Sequence, residues 1–180
     1  DNKNPLKEGD IIIANTPYAG GGTHLSDVSV IYPVFYKNEV VAFTVNKAHW
    51  TELGGTFPGS VSTVATEIYQ EGLHFPFIKV KSEGILNDSI IDVIKGNVRL
   101  PESTLGDLFA GIAAAEVGAK RVISIIEKYG LATYKKAKND FLDYGERMCI
   151  EALKEIPNGI YKGETTIEDN GFGEGPFPIK

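Results

Sequence analysis

The sequence predicts an α+β fold, with an antiparallel sheet of hairpins in the first half and two long helices in the second half. Residues 10–80 contain short runs rich in Val, Ile, Phe, Tyr and Thr, separated by Gly and Pro, which is typical of strands and turns. After residue 88, apolar residues recur at helical spacing. We expect a single domain, or a fragment of a larger subunit, with a β-rich part (9–100), a helical part (101–156) and a polar tail (157–180).

Three apolar runs in the first half indicate strands. The earliest follows Asp10 and ends at an Asn-Thr-Pro sequence. The next two, residues 28–36 and 40–49, are separated by three polar residues, 37–39, which predicts a hairpin with a three-residue loop. Pro33 has no N–H to donate to a ladder, so it requires a sheet edge or a bulge.

The register of this hairpin predicts where two polar side chains meet. If Tyr36 pairs with Val40 across the loop, the continued ladder places Asp27 opposite His49. Directly opposed residues have Cβ atoms about 5 Å apart, so one ion at roughly 2 Å from each ligand could bridge them. A bulge at Pro33 would shift the register by one residue and turn His49 to the other face.

The sequence GGGTHLSD, residues 20–27, supplies the rest of this candidate site. His24 and Asp27 would point to opposite faces of a strand, but the glycines permit a turn that brings both side chains to one point. The set His24, Asp27 and His49 suits zinc, manganese or ferrous iron, with positions left open for water or substrate. Alternatively, both histidines are ordinary loop-end residues with hydrogen-bonded partners, because HxxD is a short and common string.

Further polar candidates lie between residues 65 and 74. His74 lies among aromatic residues before a proline, which favours a core or edge histidine. Glu67 and Glu71 are four residues apart and could share one helical face, where they would supply a general base or contact a substrate amine. A solvated face is the simpler interpretation of that pair. The sequence NTPYAGGG lacks the lysine of a phosphate-binding P-loop, which argues against nucleotide binding there.

The second half predicts a short helix over residues 88–95 and two long helices. The first long helix is expected to begin after Pro101, with Thr104 and Asp107 as a capping-box-like start. Gly130 is expected to cap its C-terminal end.

Small residues are concentrated in the middle of this first long helix. Gly111, Gly118 and three consecutive alanines predict that another element approaches it closely. The second long helix is expected over residues 132–155, and the tail from residue 160 to the end is expected to contain one strand.

Cys149 is the single cysteine of the chain. Its helical context favours a small buried hydrophobic residue over a nucleophile. A lone cysteine forms no intrachain disulfide, which is typical of a reducing compartment, so we expect a cytoplasmic protein.

The composition excludes several classes of partner. The net charge of −6 disfavours nucleic acid or an anionic membrane as the main partner. No apolar run reaches the roughly 20 residues of a membrane span, and the polar first ten residues are unlike a signal peptide. Because the chain begins without Met and ends at GFGEGPFPIK, we expect an internal piece of a longer protein.

Several motifs in fixed order resemble the hydantoinase B/oxoprolinase family. They are GDIIIANTPYAGGGTHLSDVSVIYPVF, VNKAHWTELGG, PGS, ATEIYQEGL and NVRLPESTLGDLFAGIAAAEVGAKRV. The resemblance covers roughly residues 9–130, with a weaker continuation to IEDNGF. It implies a metal site formed by the HxxD motif and the histidine of the NxAH motif, which fall on His24, Asp27 and His49.

The resemblance also implies an activity and a partner. Members of this family hydrolyse cyclic amides such as hydantoins, 5-oxoproline or lactams, and relatives form subunits of acetone and acetophenone carboxylases. A hydantoinase A-like subunit phosphorylates the substrate with ATP, after which metal-bound water or CO2 chemistry follows on the hydantoinase B-like chain. We therefore expect a hetero-oligomer in which ATP binds the partner and not this chain.

Two positions depart from the family pattern. Thr16 stands where the family commonly has aspartate, and Trp50 stands where a second histidine often follows His49. Loss of the aspartate could alter a contact behind the metal ligands. Family subunits are also much longer, so we expect the isolated chain to bind metal weakly if an upstream residue completes the site, and to be inactive.

Two other function classes remain open. A ferrous oxygenase also uses two histidines and a carboxylate, but such enzymes usually place them on a jelly roll of about eight strands, and the helical second half argues against that fold. A non-catalytic domain that docks a partner through its glycine loop and helices is the other alternative.

Overall fold

The structure, a computed structural model, describes residues 5–20, 22–60 and 62–179. The chain divides into two compact units between Ile125 and Ile126. The first unit holds an antiparallel five-stranded sheet, a short helix and most of a long helix, and the second holds another long helix and a two-stranded sheet. The predicted α+β class, with the sheet in the first half and long helices in the second, is confirmed.

The sheet of the first unit has the strand order β3-β2-β1-β4-β5. Its strands are β1 (Ile11–Ala14), β2 (Asp27–Tyr36), β3 (Glu39–His49), β4 (Ile78–Ser82) and β5 (Ile85–Leu86). Short 3₁₀ turns lie at Pro17–Ala19, Pro58–Ser60 and Ile68–Gln70. The helices are α1 (Asp88–Asn97), α2 (Pro101–Tyr129) and α3 (Leu131–Leu153), and the tail carries β6 (Thr165–Ile167) and β7 (Phe177–Ile179).

The turn of the β2–β3 hairpin is shorter than the sequence predicted. Tyr36 pairs with Glu39, so the predicted pairing of Tyr36 with Val40 is wrong. Lys37 and Asn38 form a two-residue turn with φ of 50° and 66°. Positive φ at both central positions is the geometry that matches the twist of paired strands, and asparagine tolerates it better than most residues.

A β-bulge restores the predicted register farther along the hairpin. The bulge lies one step beyond Pro33 and makes Val41 the extra residue of β3. One residue lost from the loop is thus regained in the strand, and Asp27 pairs with His49 as the residue count predicted. With a three-residue loop, a bulge would have turned His49 to the other face. With the observed two-residue turn, the bulge compensates for the missing loop residue.

Helix α2 packs against one face of this hairpin at very short range. A Cβ on Gly111 would lie 2.9 Å from Val30 Cγ2, and one on Gly118 would lie 3.0 Å from Thr44 Cγ2. Thr44 Oγ1 donates a hydrogen bond of 2.8 Å to the carbonyl of Ala115. The predicted close approach to the small residues of this helix is confirmed.

The main core lies between the sheet and the helices of the first unit. Its members that are at most 2% exposed are Ile11, Ile13, Leu25, Val28, Val30, Trp50, Leu53, Phe75, Val80, Ile94, Leu108 and Ala115. Because side chains alternate along a strand and Val30 faces α2, the Asp27–His49 pair lies on the opposite face of the hairpin.

The start of α2 differs from the prediction. The helix begins at Pro101, where the missing N–H and fixed φ of proline cost nothing, so Thr104 and Asp107 lie inside it and the predicted cap is wrong. Both side chains instead bind the segment that follows β3. Thr104 Oγ1 donates to the Glu52 carbonyl at 2.9 Å, and Asp107 Oδ2 accepts from Thr51 N at 2.9 Å.

The second unit confirms some predictions and corrects others. The backbone N–H of Gly130, with φ of 85°, donates to the Ile126 carbonyl at 2.7 Å, so Gly130 ends α2 as predicted. Cys149 is exposed, and its predicted burial is wrong because α3 contains no buried residue. The tail forms two paired strands where one was predicted. No helix in the described ranges is long and apolar enough to cross a membrane.

Candidate metal centre

The three residues predicted from the sequence as metal ligands lie together on the open face of the β2–β3 hairpin. Asp27, the first residue of β2, pairs directly with His49, the last residue of β3. His24 Nε2 lies 3.4 Å from Asp27 Oδ1, and the rings of His24 and His49 have centroids 5.3 Å apart. His74 is not part of this group, because its Nε2 lies 3.3 Å from the Ile68 carbonyl.

A tight turn holds His24 beside Asp27. The backbone N–H of Asp27 lies 3.4 Å from the His24 carbonyl, so the two side chains leave the same side of the turn. Leu25 is buried in the core and anchors the turn to it. The Ser26 carbonyl accepts from Trp50 N at 2.8 Å, which ties the turn to the residue after His49.

Trp50 therefore has a structural role at the position where members of the family often carry a second histidine. Its side chain is 1% exposed and packs near Phe75, with ring centroids 6.1 Å apart. Burial in the core separates Trp50 from the open face that carries His49, because neighbouring residues at a strand end point to opposite sides.

The side chain of Asn15 stabilises the turn through hydrogen bonds, a role that the sequence did not predict. Its buried amide donates to the carbonyls of Leu25 and Leu73, both at 2.9 Å, and accepts from Phe75 N at 2.7 Å. The only sequence signal is an asparagine at the end of a strand, before Thr-Pro. The neighbouring Thr16 Oγ1 is buried and has no hydrogen-bond partner among the described residues.

Two further polar side chains lie close to the candidate ligands His24 and Asp27. Thr23 Oγ1 lies 3.3 Å from His24 Nδ1; in the tautomer that carries its proton on Nδ1, the lone pair of His24 is left on Nε2, on the side of Asp27. Lys47 Nζ lies 3.9 Å from Asp27 Oδ2. Asp27 thus stands between an imidazole and an ammonium group.

The donors fit a divalent ion in type and in one of their separations. Two ligands at about 2.0–2.1 Å from a tetrahedral ion lie roughly 3.3 Å apart, close to the 3.4 Å between His24 Nε2 and Asp27 Oδ1. As they stand, no three His, Cys, Asp or Glu side chains of the described residues form a set that could hold an ion. Closing the set would therefore require a rearrangement of these side chains.

An ion pair between Arg99 and the buried carboxylate of Glu52 fixes the chain just beyond His49. The Glu52 carboxylate is 1% exposed and accepts from Arg99 Nη1 at 2.8 Å, from Arg99 N at 2.7 Å and from Gly54 N at 2.9 Å. Arg99 Nη2 also donates to the Gly55 carbonyl at 2.7 Å. A buried carboxylate with this number of donors is well compensated, and it holds the end of β3 against the start of α2.

A cavity of about 470 Å³ opens beside His24. Its described walls come from residues 17–18, 23–24, 65–68 and 71, and include His24, Glu67 and Glu71. The two glutamates flank the 3₁₀ turn Ile68–Gln70, so they do not share the face of an α-helix. The structure brings them to the cavity wall of the candidate metal centre by another route.

The chain matches the family described as Hydantoinase B/oxoprolinase over residues 1–180. It is 41% identical to a protein of Pseudomonas sp. (strain NS671), provisionally named as the B-type subunit of a D-/L-hydantoinase, over 100% of this chain and 30% of that protein. It is more distantly similar to the acetophenone carboxylase delta subunit of Aromatoleum aromaticum (strain DSM 19018 / LMG 30748 / EbN1), with 27% identity over 94% of this chain and 25% of that protein.

The fold is also that of a solved relative. The ATP-dependent caprolactamase of Pseudomonas jessenii superposes with a TM-score of 0.90 at 34% identity, over 96% of this chain and 30% of that chain. The chain thus spans about 30% of the length of these relatives. A match over the whole length, together with the identity of 41% to a hydantoinase-type subunit, shows that the chain belongs to the hydantoinase B/oxoprolinase family.

Proposed function

We propose that this chain carries the metal-binding part of an ATP-dependent hydrolase of cyclic amides, with His24, Asp27 and His49 as the ligands. The observation that carries the proposal is the cluster itself. Two imidazoles and a carboxylate meet on an open face, with 3.4 Å between His24 Nε2 and Asp27 Oδ1, beside a cavity of about 470 Å³.

A divalent ion held there, zinc or manganese and alternatively iron, would acidify a bound water and polarise a substrate carbonyl. The protein side chains have separate tasks. Asp27 and His49 supply donors from paired strands, whose register keeps them together. Thr23 orients the His24 ring through Nδ1, and Asn15 keeps the turn in place through the Leu25 carbonyl.

The reaction proposed is hydrolysis of the amide C–N bond of a ring that a partner has activated with ATP. The chain resembles a hydantoinase component and a caprolactamase, and both names describe cyclic-amide hydrolases. By the family resemblance, a hydantoinase A-like partner holds the ATP and phosphorylates the substrate, so the active form is a hetero-oligomer. The amide carbonyl would enter the cavity that His24 lines.

Metal binding is tested first by substitution. We expect His24→Ala, Asp27→Asn and His49→Ala each to weaken zinc or manganese binding by at least about tenfold, since loss of one of three ligands removes a large share of the affinity. His74→Ala is the matched control, because His74 contacts the Ile68 carbonyl instead. Calorimetric titration measures the affinity, and anomalous scattering at the metal edges identifies the ion. Equal affinity in all four variants would rule out this ligand set.

The reaction is tested with the protein and its ATP-binding partner. We expect ATP-dependent ring opening of a hydantoin, a lactam or 5-oxoproline. Chromatography measures the ring-opened product. The His24→Ala variant should lose this turnover. Absence of ring opening for every cyclic amide would exclude the hydrolase.

A ketone carboxylase subunit is the second candidate, supported by the similarity to the acetophenone carboxylase delta subunit. It predicts ATP- and bicarbonate-dependent consumption of acetone or acetophenone by the same assembly. The oxygenase alternative gains no support, because the sheet of the first unit has five strands and not the eight of a jelly roll. A non-catalytic docking domain predicts that His24→Ala leaves partner binding intact while the parent protein binds no metal.

A further inference from the structure

Helix α3 carries an apolar face that is open to solvent. No residue of this helix is buried, and the side chains of Phe141, Leu142 and Met148 are 74%, 63% and 50% exposed. Residues that recur every three or four positions share one face of a helix. On α3 this face is formed by Tyr134, Phe141, Leu142, Gly145, Met148 and Ala152. A continuous apolar face of this kind is typical of a surface that binds another protein element.

The charges of α3 are divided between its two halves. Residues 131–139 contain three lysines and no acidic residue, whereas residues 140–153 contain four acidic residues and a single arginine. The first turn has no acidic residue and the last turn has no basic one, so α3 leaves its own macrodipole uncompensated. A second α3 helix that runs antiparallel to the first would place each half beside a half of opposite charge.

An antiparallel pair of α3 helices also places large side chains opposite small ones. If Phe141 lies opposite Gly145 of a second copy, then Tyr134 lies opposite Ala152, because antiparallel partners advance in opposite directions. Large residues that face small ones allow two helices to pack closely. The same register places Lys138 opposite Met148. There the lysine stem covers apolar surface while its ammonium remains in water, beside the acidic half of the second copy.

We propose that two copies of this chain associate through the apolar faces of their α3 helices, antiparallel about a twofold axis near residue 143. The occupant is a second copy because the charge division and the pattern of large and small residues are both self-complementary. Each half of α3 supplies the charge and the side-chain volume that the other half lacks, as a twofold interface requires. The proposal goes beyond the proposed function and does not depend on it.

Sedimentation equilibrium of the chain of 180 residues measures this association. We expect a monomer–dimer equilibrium, and Phe141→Asp should raise its Kd by at least about 30-fold, because it places a carboxylate at the centre of the interface. Phe141 is exposed, so this substitution removes no core contact, and circular dichroism verifies that the helix is intact.

Ile150→Asp is the matched control for Phe141→Asp. Ile150 is 47% exposed and lies about two and a half turns beyond Phe141, which places it on the opposite side of α3. Its substitution should change the Kd by less than about threefold, since rim and non-interface residues contribute little. A parent chain that stays monomeric, or an equal effect of the two substitutions, would overturn the proposal.

Disulfide crosslinking tests the antiparallel orientation. In a Cys149→Ser background, oxidation should link two copies of the Leu142→Cys variant, because residue 142 lies next to its counterpart near the twofold axis. The Tyr134→Cys variant should not be linked, because residue 134 lies beside residue 152 and about 27 Å along the helix from its counterpart. A parallel pair would link both variants. Any pattern other than linkage of the Leu142→Cys variant alone refutes the antiparallel pair.

Reversal of the basic half tests the charge division. The combined variant Lys135→Glu, Lys136→Glu and Lys138→Glu makes both halves of α3 acidic. At low salt its Kd should exceed that of the parent by about tenfold, and the difference should decrease as salt screens the charges. An unchanged Kd would show that the two halves do not face each other, which contradicts the proposal.

Discussion

Asp27 and His49 face each other as a directly paired couple at the open end of the β2–β3 hairpin. Two irregularities of the hairpin, a two-residue turn and the bulge at Val41, compensate for each other over this distance. The pairing of the candidate ligands therefore depends on the ladder beyond the bulge, which keeps one register from Val34–Ala42 to Asp27–His49.

Deletion of Val41 is the first prediction. Because Val41 is the extra residue of the bulge, its removal leaves every other pair of the ladder intact, including Asp27 with His49. We expect metal affinity to stay within about threefold of the parent, while loss of a buried valine lowers the free energy of unfolding by about 1–3 kcal/mol.

Insertion of one alanine between Val45 and Asn46 is the counterpart. The inserted residue joins the ladder and shifts every later pair by one, so Asp27 lies opposite Ala48 and His49 turns to the other face. Calorimetric titration should show metal binding lost in the insertion and kept in the deletion. Similar metal affinity in both variants would contradict a site based on this register.

The second prediction concerns Lys47. Its ammonium lies 3.9 Å from Asp27 Oδ2 and opposes a cation on the same carboxylate. Since partly exposed charge pairs contribute up to about 1 kcal/mol, Lys47→Met should tighten metal binding by about two- to fivefold. Lys37→Met, at the opposite end of the hairpin, should leave the affinity unchanged. Weaker binding in Lys47→Met would show that Lys47 supports the site.

The third prediction concerns Asn15. Replacement by alanine leaves three buried backbone groups without their partner, those of Leu25, Leu73 and Phe75. We expect Asn15→Ala to lower the free energy of unfolding by about 3 kcal/mol and to weaken metal binding through the loosened turn. Urea denaturation measures the first effect and calorimetry the second.

Asn97→Ala is the control for that substitution. Asn97 makes an exposed hydrogen bond of 2.8 Å to the Val93 carbonyl, so its loss should cost well under about 1 kcal/mol. Equal costs for the two variants would mean that burial of the Asn15 amide is unimportant.

The fourth prediction is a loss of stability in acid. Burial raises the pKa of Asp10, but hydrogen bonds from Lys79 and from the backbone N–H groups of Glu83 and Lys7, with the charge of Lys79, outweigh it and lower the pKa below its ordinary value of 3.8. Lys79 Nζ lies 2.7 Å from Asp10 Oδ2. The depressed pKa in the folded state means that this contribution is present above pH 3.8 and is lost as the pH falls through the folded value.

Asp10→Asn tests this linkage. At neutral pH it should lower the free energy of unfolding by about 2 kcal/mol or more, since it removes the charged partner of Lys79. The fall in stability below about pH 4 should become shallower. Glu8→Gln, an exposed neighbour, should change neither quantity. An unchanged acid profile in Asp10→Asn would assign the acid sensitivity to other groups.

Several features were predictable because they depend on local pattern. Runs rich in Val, Phe, Tyr and Thr located β2 and β3. The small residues of the first long helix predicted a close approach by another element, which in the structure is made by Val30 and Thr44. The pairing of Asp27 with His49 followed from counting residues across the hairpin, since an antiparallel ladder advances both strands equally. The exact turn was not predictable, because Lys37 and Asn38 are compatible with two loop lengths.

Other features depend on segments that are distant in the chain. The Asn15 hydrogen bonds join three separate segments, and Thr104 and Asp107 bind Thr51 and Glu52 where sequence suggested a helix cap. A hydroxyl or carboxylate near the start of a helix has the same local sequence pattern whether it caps the helix or binds a distant segment. Only the position of a neighbouring backbone N–H or carbonyl decides which contact forms.

The candidate ligands and the cavity beside them illustrate this division. Register along one hairpin, a turn that glycine permits and the chemistry of three side chains are local properties, so sequence was sufficient to group His24, Asp27 and His49. Placement of Glu67 and Glu71 at the cavity that His24 lines was decided by tertiary packing, because the segment 65–71 is distant from His24 in the chain. Charge on that wall is a property of three-dimensional proximity, which the spacing of residues along the chain does not encode.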